Sequence, residues 1–209
     1  MKTYNCAMRD TSYGETSELT LLDKLGRYLN QRKLREAIRL VRESNKLADV
    51  GCGFDSTLTR PIWNKFQEVH LFDFSINPRI SLLSHVRIEL HIGDIMETTK
   101  LANAKYDLIV CNNVLEHLDD PITLLKQIHN IMDDGSVLCV TVPSWQGKFF
   151  LELAAFRFNL APKLEMEDHR RYYGKWDLWK EIRAAGFLPS KFKVRRIKFG
   201  LSTSAVIKK

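Results

Sequence analysis

A chain of 209 residues that is 44% hydrophobic can bury one sizeable core with at most a small appendage, so one globular unit is expected. No run approaches the roughly 20 apolar residues of a membrane helix, and the N-terminus lacks a charged start leading into an apolar core and a small-residue cleavage site. A soluble, cytoplasmic protein is therefore expected, with Cys6, Cys52, Cys111 and Cys139, which show no CxxC pair and no metal-ligand spacing, as reduced residues and no metal site.

The net charge of +7 is unevenly spread. Residues 1–46 hold ten basic against six acidic side chains, residues 47–168 ten against seventeen, and residues 169–209 twelve against two. The acidic middle suits a pocket for a cationic ligand. The basic ends suit an anionic substrate, a membrane surface or nucleic acid, and serve equally well as solvated faces.

Residues 1–16 are polar and without period, a loose lead-in. From Ser17, an N-cap with Glu18 in its first turn, apolar residues at Leu21, Leu22, Leu25, Tyr28, Leu29, Leu34, Ile38 and Val41 keep helical spacing. One helix interrupted near Asn30, or two short ones, is predicted over 17–43. Strand-like runs follow at Leu47–Val50, Val69–Phe72, Arg87–His91, Leu108–Cys111 and Val137–Val142, separated by segments able to form crossover helices. That alternation predicts a doubly wound, mostly parallel α/β sheet.

Asp120-Pro121 is a helix start, with Asp as N-cap and Pro in the first turn, and Asp133-Asp134-Gly135 is its stop. Between residues 145 and 164 the apolar pieces Phe149-Phe150-Leu151, Leu153-Ala154-Ala155-Phe156 and Phe158-Asn159-Leu160 predict a short amphipathic helix. It suits a core or lid element better than a membrane anchor, although Lys148, Arg157 and Lys163 keep peripheral membrane contact open. A helix over Trp176–Ala185 ends at Gly186. Two strand-like runs, Phe192–Phe199 and Ser202–Ile207, close the chain as an antiparallel pair, with a bulge expected where the apolar parity shifts across Arg195-Arg196.

The chemistry concentrates at the strand ends. Lys46-Leu47-Ala48-Asp49-Val50-Gly51-Cys52-Gly53 is a strand running into a glycine turn, and Asp73 ends the next strand twenty residues after Gly53. Glycines there let the chain turn tightly and let a ligand lie on main-chain N–H groups, while the distant carboxylate is placed to accept from a ribose diol. Asp49 and Asp55 flank the turn, and Ser56 stands where a dinucleotide fingerprint would have its third glycine. Carboxylates beside the turn suit a cationic ligand and suit a pyrophosphate badly.

The string Asp49-Val50-Gly51-Cys52-Gly53, with Phe72-Asp73-Phe74, Gly93-Asp94-Ile95 and Tyr106 through Leu118, resembles in order the motifs of class I S-adenosylmethionine-dependent methyltransferases. The resemblance implies a Rossmann-like seven-stranded sheet, mostly parallel with an antiparallel C-terminal strand and helices on both faces. It divides the chain into an N-terminal helical cap (1–46) and a methyltransferase domain (47–209) with a substrate-side lid at 145–173. The implied cofactor is S-adenosylmethionine. Gly51, Cys52 and Gly53 would lie under its methionine part, Asp49 would set the turn and the ammonium, Asp73 would hold the ribose, Phe74 would cover the adenine, and Asp94 and the Ile95 amide would reach the adenine edge. Asn112 or Asn113 would contact the cofactor near its carboxylate or methyl end. Asp73 can equally cap the turn at Ser75-Ile76-Asn77-Pro78, and Asp94 can cap a short helix.

Leu115-Glu116-His117-Leu118 resembles the E-H-L signature of methyltransferases acting on small molecules, including quinone precursors and sugars. His117 is the first candidate general base, imidazole being able to take a hydroxyl proton near neutral pH, and local backbone bonding is its alternative role. His169-Arg170-Arg171-Tyr172 resembles a segment of glycan and natural-product methyltransferases; His169 is a second catalytic candidate, and Arg171 and Tyr172 are substrate-binding candidates. His169 and Tyr172 can equally just lock that loop against the sheet. The expected reaction is O-methylation of a small-molecule or glycan or lipid-linked acceptor. Nucleic-acid methylation is the runner-up, weakened because Cys111-Asn112-Asn113-Val114 stands where base-amino methyltransferases carry D/N-P-P-Y/F. A non-catalytic partner subunit and a nicotinamide oxidoreductase are the alternatives from other classes.

Overall fold

A computed structural model describes residues 21–97, 104–147 and 170–209. Seven strands form one sheet in the order β3-β2-β1-β4-β5-β7-β6. They are β1 (Lys46–Val50), β2 (Glu68–Asp73), β3 (Arg87–Ile92), β4 (Tyr106–Asn112), β5 (Met132–Pro143), β6 (Phe192–Ile197) and β7 (Ser202–Lys208). The first five run parallel, and β7 is antiparallel to both β5 and β6. This is the mostly parallel sheet with antiparallel closure that the alternation and the final strand pair predicted.

The central strands are apolar on both faces because both are covered. Leu47, Ala48 and Val50 in β1 and Leu108, Ile109, Val110 and Cys111 in β4 are all buried. One face gathers Val50, Phe72, Ile109, Leu138 and Ile207 against Leu124, Leu125 and Ile128 of α2 (Pro121–Asn130) and Leu178 and Ile182 of α3 (Lys175–Ala184). The other gathers Leu47, Leu71, Leu108 and Val137 against Leu34 and Ala37 of α1 (Leu21–Ile38) and against Ile62, Trp63, Phe66 and Ile80 of the β1–β2 and β2–β3 connections. From Leu34 onward, then, the first helix is a layer of the sheet's own core.

Helix starts follow the local chemistry read from the chain. Asp120 caps α2 by accepting from the Thr123 amide at 3.1 Å, Pro121 occupies the first turn, and Gly186 at φ 101 follows the end of α3. Some expectations need correction or fall elsewhere. First, α1 runs unbroken through Asn30. One Asn costs a helix interior at most about 0.7 kcal/mol, less than the burial of Leu34 and Ala37 contributes. Second, β6 keeps continuous register with β7 from Phe192↔Ile207 to Ile197↔Ser202, without the bulge. It is an edge strand whose Phe192 and Val194 pack on the core beside α3, while Lys193 and Arg195 on the other face and Arg196 near the strand's end are exposed, so the parity shift marks where the cover stops and needs no extra residue. The register shift lies instead between Tyr106 and Leu108, opposite Asp133–Ser136 near the start of β5; α2 has already ended at Asn130, so Asp133-Asp134-Gly135 is an irregular stretch of the next strand and not the helix stop. The lead-in 1–16 and the amphipathic stretch from Lys148 on lie outside the described residues.

The two halves of the sheet diverge between β1 and β4, which pair directly at Val50↔Cys111. β2 and β3 extend to one side and β5 to the other, so a crevice opens beyond the carboxyl ends of β1 and β4, the switch point where such sheets bind ligands. The opposite end is closed by Asp107, whose Oδ2 accepts from the Asn45 and Lys46 amides at 3.0 and 2.8 Å and so ties the entry of β1 to β4. Asp107→Ala leaves both amides unpaired and is expected to cost about 2 kcal/mol, lowering Tm by about 4–8 °C in a thermal melt.

Candidate active site at the carboxyl ends of β1, β2, β3 and β4

Gly51 and Gly53 both adopt positive φ, at 74° and 70°. The Gly51 amide donates to the Phe72 carbonyl at 2.8 Å, and a Cβ on Gly51 would stand 2.2 Å from Val114 Cγ2. The glycine is therefore what lets the β1 turn pass under the β4 loop. At Gly53 a Cβ would meet nothing within 4 Å, so the turn presents bare backbone to open space. Its amide donates to Asp73 Oδ2 at 2.8 Å, and the Asp73 carbonyl accepts from the Gly93 amide at 3.0 Å. The glycine turn, the β2 carboxylate and the β3 end are thus hydrogen-bonded into one rim.

Asp49 supports that rim from beneath. It is 2% exposed, and its Oδ2 accepts from Ser56 Oγ at 2.8 Å and from Thr59 Oγ1 at 2.5 Å. Thr59 Oγ1 in turn accepts from the Trp63 indole at 3.1 Å. Burial, only partly offset by the two hydroxyls, raises the Asp49 carboxyl to about 6. Asp55, where the related motif commonly has glycine, is buried and accepts from Asn77 Nδ2 at 2.8 Å, while the Asn77 amide donates to the Phe54 carbonyl. The loops after β1 and β2 are joined by this pair. Thr59 and Trp63 do not stand out in the sequence, and Ser56 and Asn77 read there only as a missing glycine and as part of a turn, because their role depends on a loop closing back on itself.

Around the rim, Phe74 is half-exposed and Ile95 buried. Asp94 caps the turn after β3, its Oδ1 accepting from the Met96 amide at 2.9 Å. Asn112 ends β4, and Asn113 takes φ 55° with its amide donating to the Thr141 carbonyl at 2.8 Å. The next turn, Leu115–His117, leaves His117 half-buried and Glu116 fully buried. Burial pushes the Glu116 carboxyl up to about 8, and neither of its oxygens has a hydrogen-bond partner among the described residues. His117 and the rim residues all stand at or just beyond the carboxyl ends of the parallel strands.

His169 lies outside the described residues. Arg171 and Tyr172 belong to a strap across the β4–β5 end. Arg171 pairs with Glu181 at 3.2 Å and donates to the Asp119 carbonyl at 3.0 Å, the Arg170 amide donates to the Glu116 carbonyl, and the Tyr173 amide donates to the Pro143 carbonyl. Tyr172 is 8% exposed and packs on Trp145 with ring centroids 5.6 Å apart. In this arrangement the Arg171 fork is engaged inside the chain, by Glu181 and the Asp119 carbonyl, and Tyr172 is packed on Trp145.

Two other reactive groups are accounted for structurally. Cys52, Cys111 and Cys139 are buried, which raises their thiols and keeps them protonated. His70, Glu89 and His91 bring ligand-type atoms together on β2 and β3, but His70 Nδ1 and His91 Nε2 are 3.0 Å apart with ring centroids at 5.2 Å and planes 9° apart. Rings so nearly coplanar and edge to edge form an N–H···N hydrogen bond, which occupies the lone pair that a metal would need.

The profile of the family described as "Methyltransferase domain" matches residues 22–189. The chain belongs to this family. Over 112 residues, 52% of this chain and 40% of the relative, it is 30% identical to the malonyl-[acyl-carrier protein] O-methyltransferase of Hahella chejuensis. It is 23% identical over 151 residues to the ubiquinone biosynthesis O-methyltransferase of Aeromonas salmonicida, covering 68% of this chain and 63% of that one. The chain thus spans about half the length of these curated relatives. Among solved structures, an S-adenosylmethionine-dependent methyltransferase from Clostridium acetobutylicum superposes with TM-score 0.62 at 15% identity, covering 90% of this chain and 96% of that one. Magnesium protoporphyrin IX methyltransferase from Synechocystis, with bound SAH, gives 0.61 at 17% identity over 92% and 90%. The fold is the Rossmann-like methyltransferase sheet, and the cofactor of this domain is S-adenosylmethionine.

Because the Asp49 carboxyl is raised in the native state, the folded chain binds its proton more tightly than the unfolded chain does. Stability contributed at this position is then lost as pH rises from about 4 to about 6, by roughly 3 kcal/mol. Urea melts of the wild type and Asp49→Asn across that range are expected to show the stability difference shifting by this amount in favour of Asn as pH rises; a pH-independent difference would refute the assignment.

Proposed function

We propose that this chain transfers a methyl group from S-adenosylmethionine to an oxygen of a small-molecule, glycan or lipid-linked acceptor. The observation that carries the reading is the Gly53 amide bonded to Asp73 Oδ2 at 2.8 Å beside a glycine whose Cβ direction is open. It joins a bare-backbone turn to a carboxylate at the switch point, as a nucleoside-type ligand requires. The cofactor supplies a methyl already activated on a cationic sulfur, which leaves as a neutral thioether.

The chain's own residues then have binding and alignment roles. Asp73 accepts from the ribose hydroxyls, and Phe74 covers one face of the adenine. Asp94 and the Ile95 amide address the adenine edge. Gly51, Cys52 and Gly53 offer backbone to the methionine portion, and Asn112 and Asn113 fix its end. Asp49, ionised above about pH 6, sets a negative potential under the turn that favours the ammonium. Most of the acceleration comes from holding the acceptor oxygen in line at about 3–3.5 Å, with water excluded. His117 accepts the hydroxyl proton as the new bond forms, with His169 the second candidate.

Oxygen as the receiving atom is supported by the names of both curated relatives, one acting on malonyl-[acyl-carrier protein] and one in ubiquinone biosynthesis. The acidic middle of the chain fits a cationic cofactor and the basic final segment fits an anionic acceptor.

Isothermal titration with S-adenosylmethionine is expected to show micromolar-range binding, and Asp73→Ala to weaken it about 100-fold or more through lost charge-assisted hydrogen bonds. Full binding by that variant would overturn the site assignment. In a turnover screen against acceptor pools, His117→Ala should lower kcat by roughly 100-fold while leaving cofactor affinity unchanged; unchanged kcat would remove His117 from the chemistry.

A further inference from the structure

We infer that the rim of the sheet above β5, β7 and β6 docks on an anionic membrane surface, with Phe199 as its inserted tip. Strand register places the components together. The Pro143 end of β5 pairs with Ser202 at the start of β7, and Ser202 pairs with Ile197 at the end of β6. The Lys198–Gly200 connection therefore sits at the carboxyl end of β5, on the same side as the cofactor crevice. α3 also begins there, since the Tyr173 amide donates to the Pro143 carbonyl and Thr203 Oγ1 donates to the Tyr173 carbonyl.

Three large aromatic side chains stand out of this rim. Phe199 is 88% exposed, Trp176 in the first turn of α3 is 60% exposed, and Trp145 just after β5 is 56% exposed. Phe199 also adopts φ 56°, a left-handed conformation that bulky residues avoid and that costs stability wherever it occurs. The tip holding it is braced. Ser144 Oγ donates to the Gly200 carbonyl, the Ser144 amide donates to the Leu201 carbonyl at 3.1 Å, and the Gly147 backbone packs so tightly on Leu201 that a Cβ would lie 2.2 Å from its carbonyl oxygen. A braced turn that projects a phenylalanine into solvent, in a backbone conformation that favours glycine, has no account in packing among the described residues.

Charge identifies the occupant. Lys193, Arg195 and Arg196 on the edge strand leading to this tip are exposed, as are Lys175 and Lys180 beside Trp176, and Lys180 Nζ lies 5.7 Å from the Trp176 ring. Aromatic rings at the leading edge with cations set behind them match the two levels of an anionic bilayer, rings at the acyl boundary and cations among headgroups. A single-strand nucleic acid would instead be met by rings laid along a groove for stacking, and here the most exposed ring is at the end of a turn. This docking is independent of which acceptor is methylated.

The test is co-sedimentation of the full chain with phosphatidylcholine vesicles and with vesicles that also contain phosphatidylglycerol. Binding is expected on the anionic vesicles only, falling as salt is raised. Phe199→Asp, a residue type that tolerates the left-handed conformation, should weaken it roughly tenfold or more while Tm and cofactor binding stay unchanged. Phe199→Gly, which suits this φ, should lose vesicle binding in the same way, so a folding defect in the Asp variant leaves the test intact. Arg195→Gln with Arg196→Gln should weaken binding to anionic vesicles and leave the phosphatidylcholine control unmoved. No wild-type binding, equal binding to both vesicle types, undiminished binding by both Phe199 variants, or salt-sensitive RNA binding in place of vesicle binding would each overturn the proposal. Loss of cofactor affinity in Asp73→Ala without loss of vesicle binding would separate this surface from the methyl-transfer reading.

Discussion

The buried Asp49 carboxylate and the two hydroxyls that satisfy it are the constraint on which the cofactor crevice depends. A carboxylate at the end of a central strand cannot remain in the core unpartnered, because an unpaired buried charge costs several kcal/mol. Ser56 and Thr59 fold back to meet it, and Trp63 holds Thr59 from the outer face of the core. That closure shapes residues 51–60 into a loop whose glycine amide faces Asp73 across the β1–β2 boundary. The two carboxylates then divide the work by environment. Asp49 is buried and its proton affinity is raised, whereas Asp73 is half-buried at the rim, where it accepts from the Gly53 amide.

This arrangement explains why the site lies at the sheet's centre. β1 and β4 are covered on both faces, so their ends are fixed by two layers of packing. The Asn113 and Gly51 backbones, each at positive φ, turn the two loops past one another, with Val114 filling the space a Cβ at Gly51 would need. The opposite, C-terminal side of the sheet carries different physics. Its edge strand is basic on the face turned away from the core, and its rim projects aromatic rings. A crevice in the acidic middle and a cationic outer surface in the final segment coexist because they occupy different strands of one sheet.

Much of this was legible in the chain. Period and apolar runs placed every strand within a few residues, since central parallel strands must be apolar on both faces, and Asp120-Pro121 marked a helix start because its capping chemistry is local. Gly51, Gly53 and Asp73 were legible as a constellation because the sheet brings successive strand ends together at a fixed spacing. What escaped notice depends on tertiary closure. Asp55 reads as an odd residue in a glycine motif until Asn77, twenty-two positions away, is found bonded to it. Glu116 belongs to a recognisable string, yet only the fold shows that its carboxyl is buried without a hydrogen-bond partner among the described residues. Arg171 reads as an anion fork, and the fold gives that fork to Glu181 and a backbone carbonyl. The expected bulge in β6 failed because Arg196, which shares the face of Phe192 and Val194, lies beyond the part of that face that is covered, so the parity shift needs no extra residue.

The central claim is that the carboxyl ends of β1 to β4 form one cofactor crevice. It is tested most directly by titrating the isotopically labelled chain with S-adenosylhomocysteine and following the backbone amides by NMR. The account predicts that the largest shifts fall on Gly51, Gly53, Phe74, Ile95 and Asn113, with the amides of β6 and of the Asp133–Gly135 stretch unmoved. Saturable shifts centred elsewhere, with the Gly51–Gly53 amides unchanged, would contradict it.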